Sequence, residues 1–229
     1  MYHPYMRMLR TVLFALGMSG LTPAQQSISF PSGDGGRVCA DLYGKSPRAV
    51  VLAHGGRFNK ESWRPEAKVL VAEGFRVMAI DFRGSGCSTG PGRPDVDDPH
   101  YENDVLAAVR YLKTHGAHAV SVVGGSFGGA AAGDASIRST PGEIDRIVLL
   151  GAVPNLSAEG LKSRVLFLVA RDDANGAGPR LPGIRAQFEK APEPKELIVL
   201  DGSAHAQFLF QTDQSARVMH EILRFLSTP

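Results

Sequence analysis

An α/β architecture, with a mostly parallel sheet flanked by helices, is the fold class that this 229-residue sequence predicts. Short runs rich in Val, Ile, Leu and Ala recur along the chain, separated by segments of helical length. These runs lack in/out alternation, as expected of strands covered on both faces. The composition, 43% hydrophobic and 21% charged, is that of an ordinary globular protein and excludes a disordered or collagenous chain. At this length one compact domain is the best reading, and it is expected to span residues 25–229.

Residues 1–24 read as a secretory signal peptide. Arg7 and Arg10 precede the apolar run Thr11 to Leu21, and Ala24 supplies a small residue at a cleavage point. The run is shorter than the roughly 20 apolar residues of a spanning helix. An amphipathic N-terminal helix or an uncleaved anchor is the alternative. No Cys follows the run closely, so a lipoprotein is not expected. The reading implies a secreted or periplasmic protein with no stable membrane span.

Ser27 to Phe30 and Arg37 to Tyr43, joined by a Gly-rich turn, read as an antiparallel hairpin at a sheet edge. Strands are expected at Arg48 to Ala53, Arg76 to Asp81, Ala119 to Gly124, Ile144 to Leu150, Arg164 to Ala170 and Lys195 to Leu200. Lys60 to Glu73 and Tyr101 to His115 have the length and periodicity of crossover helices. Asp213 to Leu226 supplies a final helix, with Val218, Ile222, Phe225 and Leu226 on one face. The connection from Val153 to Ser163 is too short to hold a lid domain.

The 25 basic and 23 acidic side chains balance at +2, and at zero without Arg7 and Arg10. No basic excess remains to attract phosphate, so no nucleic-acid partner is expected. An oxidising compartment would permit one disulfide between Cys39 and Cys87. One lies in an expected strand and the other in a loop after a different strand, so they read as two independent small apolar residues.

Gly124-Gly125-Ser126-Phe127-Gly128 matches G-x-S-x-G, a serine held on a tight turn between strand and helix. A second match, Gly86-Cys87-Ser88-Thr89-Gly90, lies in Gly- and Pro-rich sequence and reads as loop. Ser126 follows the run Ala119 to Val123 and precedes a Gly- and Ala-rich segment able to pack closely, so it is the candidate nucleophile. A serine hydroxyl needs an adjacent base, itself oriented by a carboxylate. Of the seven histidines, His205 lies just beyond the last expected strand, where a loop can reach Ser126. His3 falls in the signal segment, and His100, His115, His118 and His220 fall on helices or their ends. Asp173 is the chosen carboxylate, with its neighbour Asp172 as competitor. Asp81 and Asp134 do not fit the chain order Ser126, Asp173, His205. The oxyanion donors are expected to be the backbone N–H groups of Phe127 and Gly56, the latter in His54-Gly55-Gly56-Arg57. His54 reads as structural, and Arg57 as an exposed loop residue that could alternatively meet an acidic substrate group.

Together, His54-Gly55-Gly56, Asp81-Phe-Arg-Gly-Ser-Gly86, Gly124-x-Ser126-x-Gly128, Asp173 and His205 resemble the α/β-hydrolase superfamily from about Ser27 to Leu226. Within it the chain is similar to small, lid-less serine esterases and dienelactone-hydrolase-like proteins. It departs from many of the latter in carrying Ser rather than Cys as nucleophile, and the missing lid argues against a long-chain lipase. The resemblance implies an eight-stranded, mostly parallel sheet without a cap domain, and hydrolysis of a small-molecule carboxylic ester through an acyl-enzyme, without metal or organic cofactor. A peptidase or amidase using the same triad and a non-catalytic binding protein are the alternatives. Neither zinc-like Cys/His spacing nor a phosphate-binding loop is present. Phe58, Trp63 and Phe208 are candidate pocket walls, with a core role as the alternative.

Overall fold

A computed structural model describes residues 25–91 and 100–228. The expected signal segment lies outside the described residues. Eight strands form one sheet: β1 (Gln26–Pro31), β2 (Arg37–Tyr43), β3 (Arg48–Ala53), β4 (Arg76–Ile80), β5 (Ala119–Gly125), β6 (Arg146–Leu150), β7 (Arg164–Ala170) and, after a two-stranded ribbon of β8 (Ala174–Asn175) and β9 (Gly178–Pro179), β10 (Lys195–Leu200). The order is β1-β2-β4-β3-β5-β6-β7-β10. Pairing is antiparallel between β1 and β2 and between β2 and β4, and parallel from β4 through β10.

Both faces are covered. Helices α2 (Glu102–Thr114), α3 (Phe127–Arg138) and α4 (Leu181–Lys190) bury Val105, Val109, Ala131, Ala135 and Ile184 on one side. On the other, α1 (Arg64–Ala72) and α5 (Ser215–Ser227) bury Ala67, Leu70, Val218, Ile222 and Phe225. Such cover explains why the central strands read as unbroken apolar runs. Helix α4 was not expected: Pro182 and Gly183 disfavour helix in isolation, but Pro in the first turn forgoes no intrahelical bond, and Ile184 gains a core contact. Trp63 is buried in the core against Phe210 rather than lining a pocket. Phe58 and Phe208 are half-buried and pack on each other.

The structure corrects the reading of the two cysteines, because Cys39 and Cys87 form a disulfide. The segment after β4 folds back along β2: Arg37 and Thr89 exchange backbone hydrogen bonds at 2.8 Å, and the Ser88 hydroxyl accepts from Cys39 N–H and donates to the Asp81 carbonyl. That return brings the two Cα atoms to 5.8 Å. It also gives Ser88 a structural role. Closing a loop with a sequence separation of 48 is worth about 4 kcal/mol in the chain-entropy account.

The same corner holds a buried ion cluster. Asp104 accepts from Arg83 through its backbone N–H, Nε and Nη2, and Arg83 Nη1 reaches Asp34 Oδ2 at 2.7 Å. Burial pushes the Asp34 carboxyl up, but hydrogen bonds from Arg83, Ser32 and Asn103 outweigh it and hold the group well below the usual carboxylate range. The cluster thus ties the hairpin turn, the segment after β4 and α2 together. Asp104→Ala leaves Arg83 paired with Asp34 alone and takes the acceptor from its buried backbone N–H, Nε and Nη2, so it is expected to cost about 3–5 kcal/mol in urea unfolding. A loss under about 1 kcal/mol would show that the pair is solvated.

Candidate active site

Strand order reverses at β3, with all three strands parallel: the chain passes from β3 to β4 on one side and then across to β5 on the other. The carboxyl ends of β3 and β5 therefore border a topological switch point, where α/β sheets open a crevice. Ser126 stands at the end of β5. Its φ of 54° and ψ of −123° lie in a region that L residues rarely adopt, at a cost on the order of 1–3 kcal/mol. Three backbone hydrogen bonds hold it there: its N–H donates to the Leu150 carbonyl at 3.0 Å, and its own carbonyl accepts from Gly129 and Ala130 at 2.9 and 3.0 Å. The turn also demands small neighbours. A Cβ on Gly128 would lie 2.4 Å from the His54 carbonyl oxygen, and one on Gly124 would lie 2.4 Å from that of Gly128.

The loop after β10 brings His205 to this turn. Its Nε2 is 2.8 Å from Ser126 Oγ and its Nδ1 is 2.8 Å from Asp173 Oδ2. An ionised carboxylate can only accept, so Nδ1 carries the proton and Nε2 is left to accept from the serine hydroxyl. Asp173, in the turn after β7, is fully buried, whereas Asp172 is exposed with its backbone N–H bonded to the Gly202 carbonyl. The geometry brings Asp173 to His205 and leaves Asp172 outside. Arg180 Nε lies 3.4 Å from Asp173 Oδ1 without a hydrogen bond, a charge neighbour that no motif foretold. Gly151, with φ 57°, sits so close that a Cβ would fall 3.0 Å from both Asp173 Oδ2 and His205 Nδ1.

The segment after β3 faces the same point. A Cβ on Gly55 would lie 3.4 Å from that of Ser126, and one on Gly56 would lie 3.8 Å from the Phe127 ring. The Gly55 carbonyl accepts from Phe58 N–H at 3.0 Å and from His54 Nδ1 at 2.9 Å. In a trans peptide the next N–H points opposite to that carbonyl, so these two bonds also aim the Gly56 N–H. Burial lowers the pKa of His54, against smaller raising effects of its bond to the Gly55 carbonyl and the Asp81 charge, and favours the neutral ring. The neutral His54 donates from Nδ1, and its Nε2 faces Phe82 N–H at 3.4 Å. Phe127 N–H opens α3, where first-turn amides have no intrahelical acceptor. Arg57 is exposed, and Asp81 is spent on Lys60, which donates to it from its backbone N–H and Nζ, each at 2.9 Å.

Beside Ser126 lies a cavity of about 610 Å³, walled by Tyr101, Phe127, Ala152, Val153 and Leu156 and edged by Arg138. Asp134 also borders it, its carboxylate accepting from Asn155 Nδ2 and Leu156 N–H. Sequence reasoning missed Gly151, Arg180 and Gln207. Each acts through a contact between segments far apart in the chain, and a lone Gly, Arg or Gln carries no local signal. Among the described residues no group of three or more His, Cys, Asp or Glu side chains is arranged to hold a metal ion, and no helix is long and apolar enough to cross a membrane.

Comparison with known proteins fits this architecture. A non-heme haloperoxidase of Rhodococcus erythropolis is 36% identical over 115 residues, which cover 50% of this chain and 40% of that protein. A bifunctional esterase/perhydrolase of Acinetobacter calcoaceticus is 38% identical over 109 residues, 47% of this chain and 37% of that protein. The chain therefore spans about 40% of the length of these curated relatives. A Pyrococcus furiosus esterase superposes with a TM-score of 0.73 over 89% of this chain and 90% of its own, at 18% identity, a likeness of fold. The family model described as alpha/beta hydrolase fold matches residues 48–210, from the start of β3 past His205, and with the sheet order and strand-end site described above the chain belongs to that family.

Proposed function

We propose that the protein is a serine hydrolase that cleaves carboxylic esters of small or medium acyl groups through an acyl-enzyme on Ser126. The observation that carries this reading is the unbroken relay from Ser126 Oγ to His205 to Asp173, two contacts of 2.8 Å ending on a buried carboxylate. As His205 Nε2 takes the hydroxyl proton, Oγ bonds to the ester carbonyl carbon and the carbonyl oxygen becomes an oxyanion. The Phe127 and Gly56 N–H groups stabilise that charge, and Asp173 stabilises the imidazolium. Collapse expels the alcohol, which takes its proton from His205. Water then attacks the acyl carbon with His205 as base, releasing the acid and restoring Ser126. The cavity beside Ser126 offers apolar surface from Ala130, Ala152, Val153 and Leu156 next to polar groups of Asp134, Asn155 and Arg138, and its volume of about 610 Å³ supports an acyl group of small or medium size. The basic start and apolar run of residues 1–24 and the Cys39–Cys87 disulfide support an exported enzyme.

The test is hydrolysis of p-nitrophenyl esters from acetate to decanoate. Ser126→Ala is expected to lower kcat by on the order of 10⁶-fold with the fold retained. Ser88→Ala should instead lose about 1–3 kcal/mol of stability and keep its activity, because only structural bonds are removed. A folded wild-type protein inactive on every ester would turn the reading towards an amidase or a binding protein. Asp173→Asn should cost on the order of 10⁴-fold in kcat and Asp172→Asn little, since only Asp173 orients His205; an effect confined to Asp172 would reverse the assignment. Gly151→Ala, which inserts a methyl against both Asp173 and His205, is expected to lower kcat by about 100-fold or more, as a misplacement of about 1 Å does.

A further inference from the structure

We infer that Gln207 is a positioning residue that locks the Gly56 oxyanion donor and the His205 base into one register, an inference that rests on the serine-esterase reading. Gln207 is only 4% exposed and stands two residues beyond His205, in the 3-10 segment Ala206–Gln211. Its side-chain amide is divided between two partners. Oε1 accepts from Gly55 N–H at 2.7 Å, and Nε2 donates to Ser62 Oγ at 3.1 Å. Ser62 in turn donates from Oγ to the Asn59 carbonyl and from its backbone N–H to Asn59 Oδ1. Both ends of the segment from Gly55 to Ser62 are thereby fastened to the His205 loop.

Two further contacts place Gln207 at the junction of all three working segments. A Cβ on Gly125, the residue before Ser126, would lie 3.2 Å from Gln207 Cγ, so the side-chain stem lies against the nucleophile turn. Ala206, between His205 and Gln207, has a φ of 51°, a conformation that persists only where surrounding contacts impose it. The Gly55 carbonyl is held by Phe58 and His54, but its N–H has Gln207 as its acceptor. Losing that acceptor leaves a buried amide unpaired and frees the segment that aims Gly56 N–H. The loss should fall on the transition state, because the oxyanion forms only there.

The experiment compares Gln207→Met, which keeps the volume and removes the amide, with Gln207→Glu, which keeps an acceptor for Gly55 N–H. Both are assayed on p-nitrophenyl acetate beside the wild type, with affinity for an arylboronic acid as a tetrahedral mimic and urea unfolding as a control. Gln207→Met is expected to lower kcat by about 30- to 100-fold with KM within about threefold, and to weaken boronate binding in step. Gln207→Glu is expected to recover kcat to within about fivefold of wild type. The inference is overturned if Gln207→Met keeps kcat within about threefold, if its loss appears in KM alone, or if Gln207→Glu regains the wild-type urea midpoint without regaining kcat. Should Gln207→Met not fold, Ser62→Ala, which removes the second anchor, is expected to lower kcat by about three- to tenfold, and an unchanged kcat overturns the inference. Wild-type inactivity on the ester, or a Ser126→Ala variant as active as wild type, would instead overturn the esterase reading itself.

Discussion

The pressing of the α3 N-terminus against the ends of β3 and β5 is the constraint on which the rest depends. It leaves no room for a side chain at Gly124 or Gly128 and forces Ser126 into a positive-φ turn. The same contact lifts the Ser126 hydroxyl to the crevice and exposes an amide with no helical acceptor at Phe127. Strain at one residue is thus balanced by three backbone hydrogen bonds and by a helix packed at a distance that only glycine permits.

Around that turn, Asp173, His205 and the Gly55–Gly56 segment each arrive from a different strand end, and each loop is fastened by contacts outside the Ser126–His205–Asp173 relay. Gly151 admits the Asp173–His205 contact, His54 and Phe58 fix the peptide before Gly56, and Gln207 joins the loops after β3 and β10. Farther out, the Cys39–Cys87 bond and the Arg83 cluster clamp the antiparallel edge and α2 to the segment after β4. Packing supplies most of the fold's cohesion. Polar and covalent ties fix the register of its loops.

The short connection between β6 and β7 shapes the site as much as any side chain. Residues 151–163 hold one 3-10 turn at Ala158–Gly160 and no cap domain, so the cavity beside Ser126 is walled by α3, the start of α2 and the first residues of this connection itself. Two hydrogen bonds, donated by Asn155 Nδ2 and Leu156 N–H to the Asp134 carboxylate, hold this connection against α3 at the edge of the cavity.

By itself the sequence determined the parallel core, because strands buried on both faces must be apolar throughout, as Arg48–Ala53 and Arg164–Ala170 are. It also determined the Ser126 turn, since close helix packing requires glycines at fixed offsets. It placed His205 and two adjacent aspartates at strand ends. Tertiary structure buried Asp173 against His205 and left Asp172 exposed, a difference of one residue at a turn that periodicity does not encode. It likewise joined Cys39 to Cys87, formed α4 despite Pro182 and Gly183, and gave Gln207 its partners 152 and 145 residues away. Local pattern reports what a segment buries, and contacts between distant segments exist only once the chain has closed.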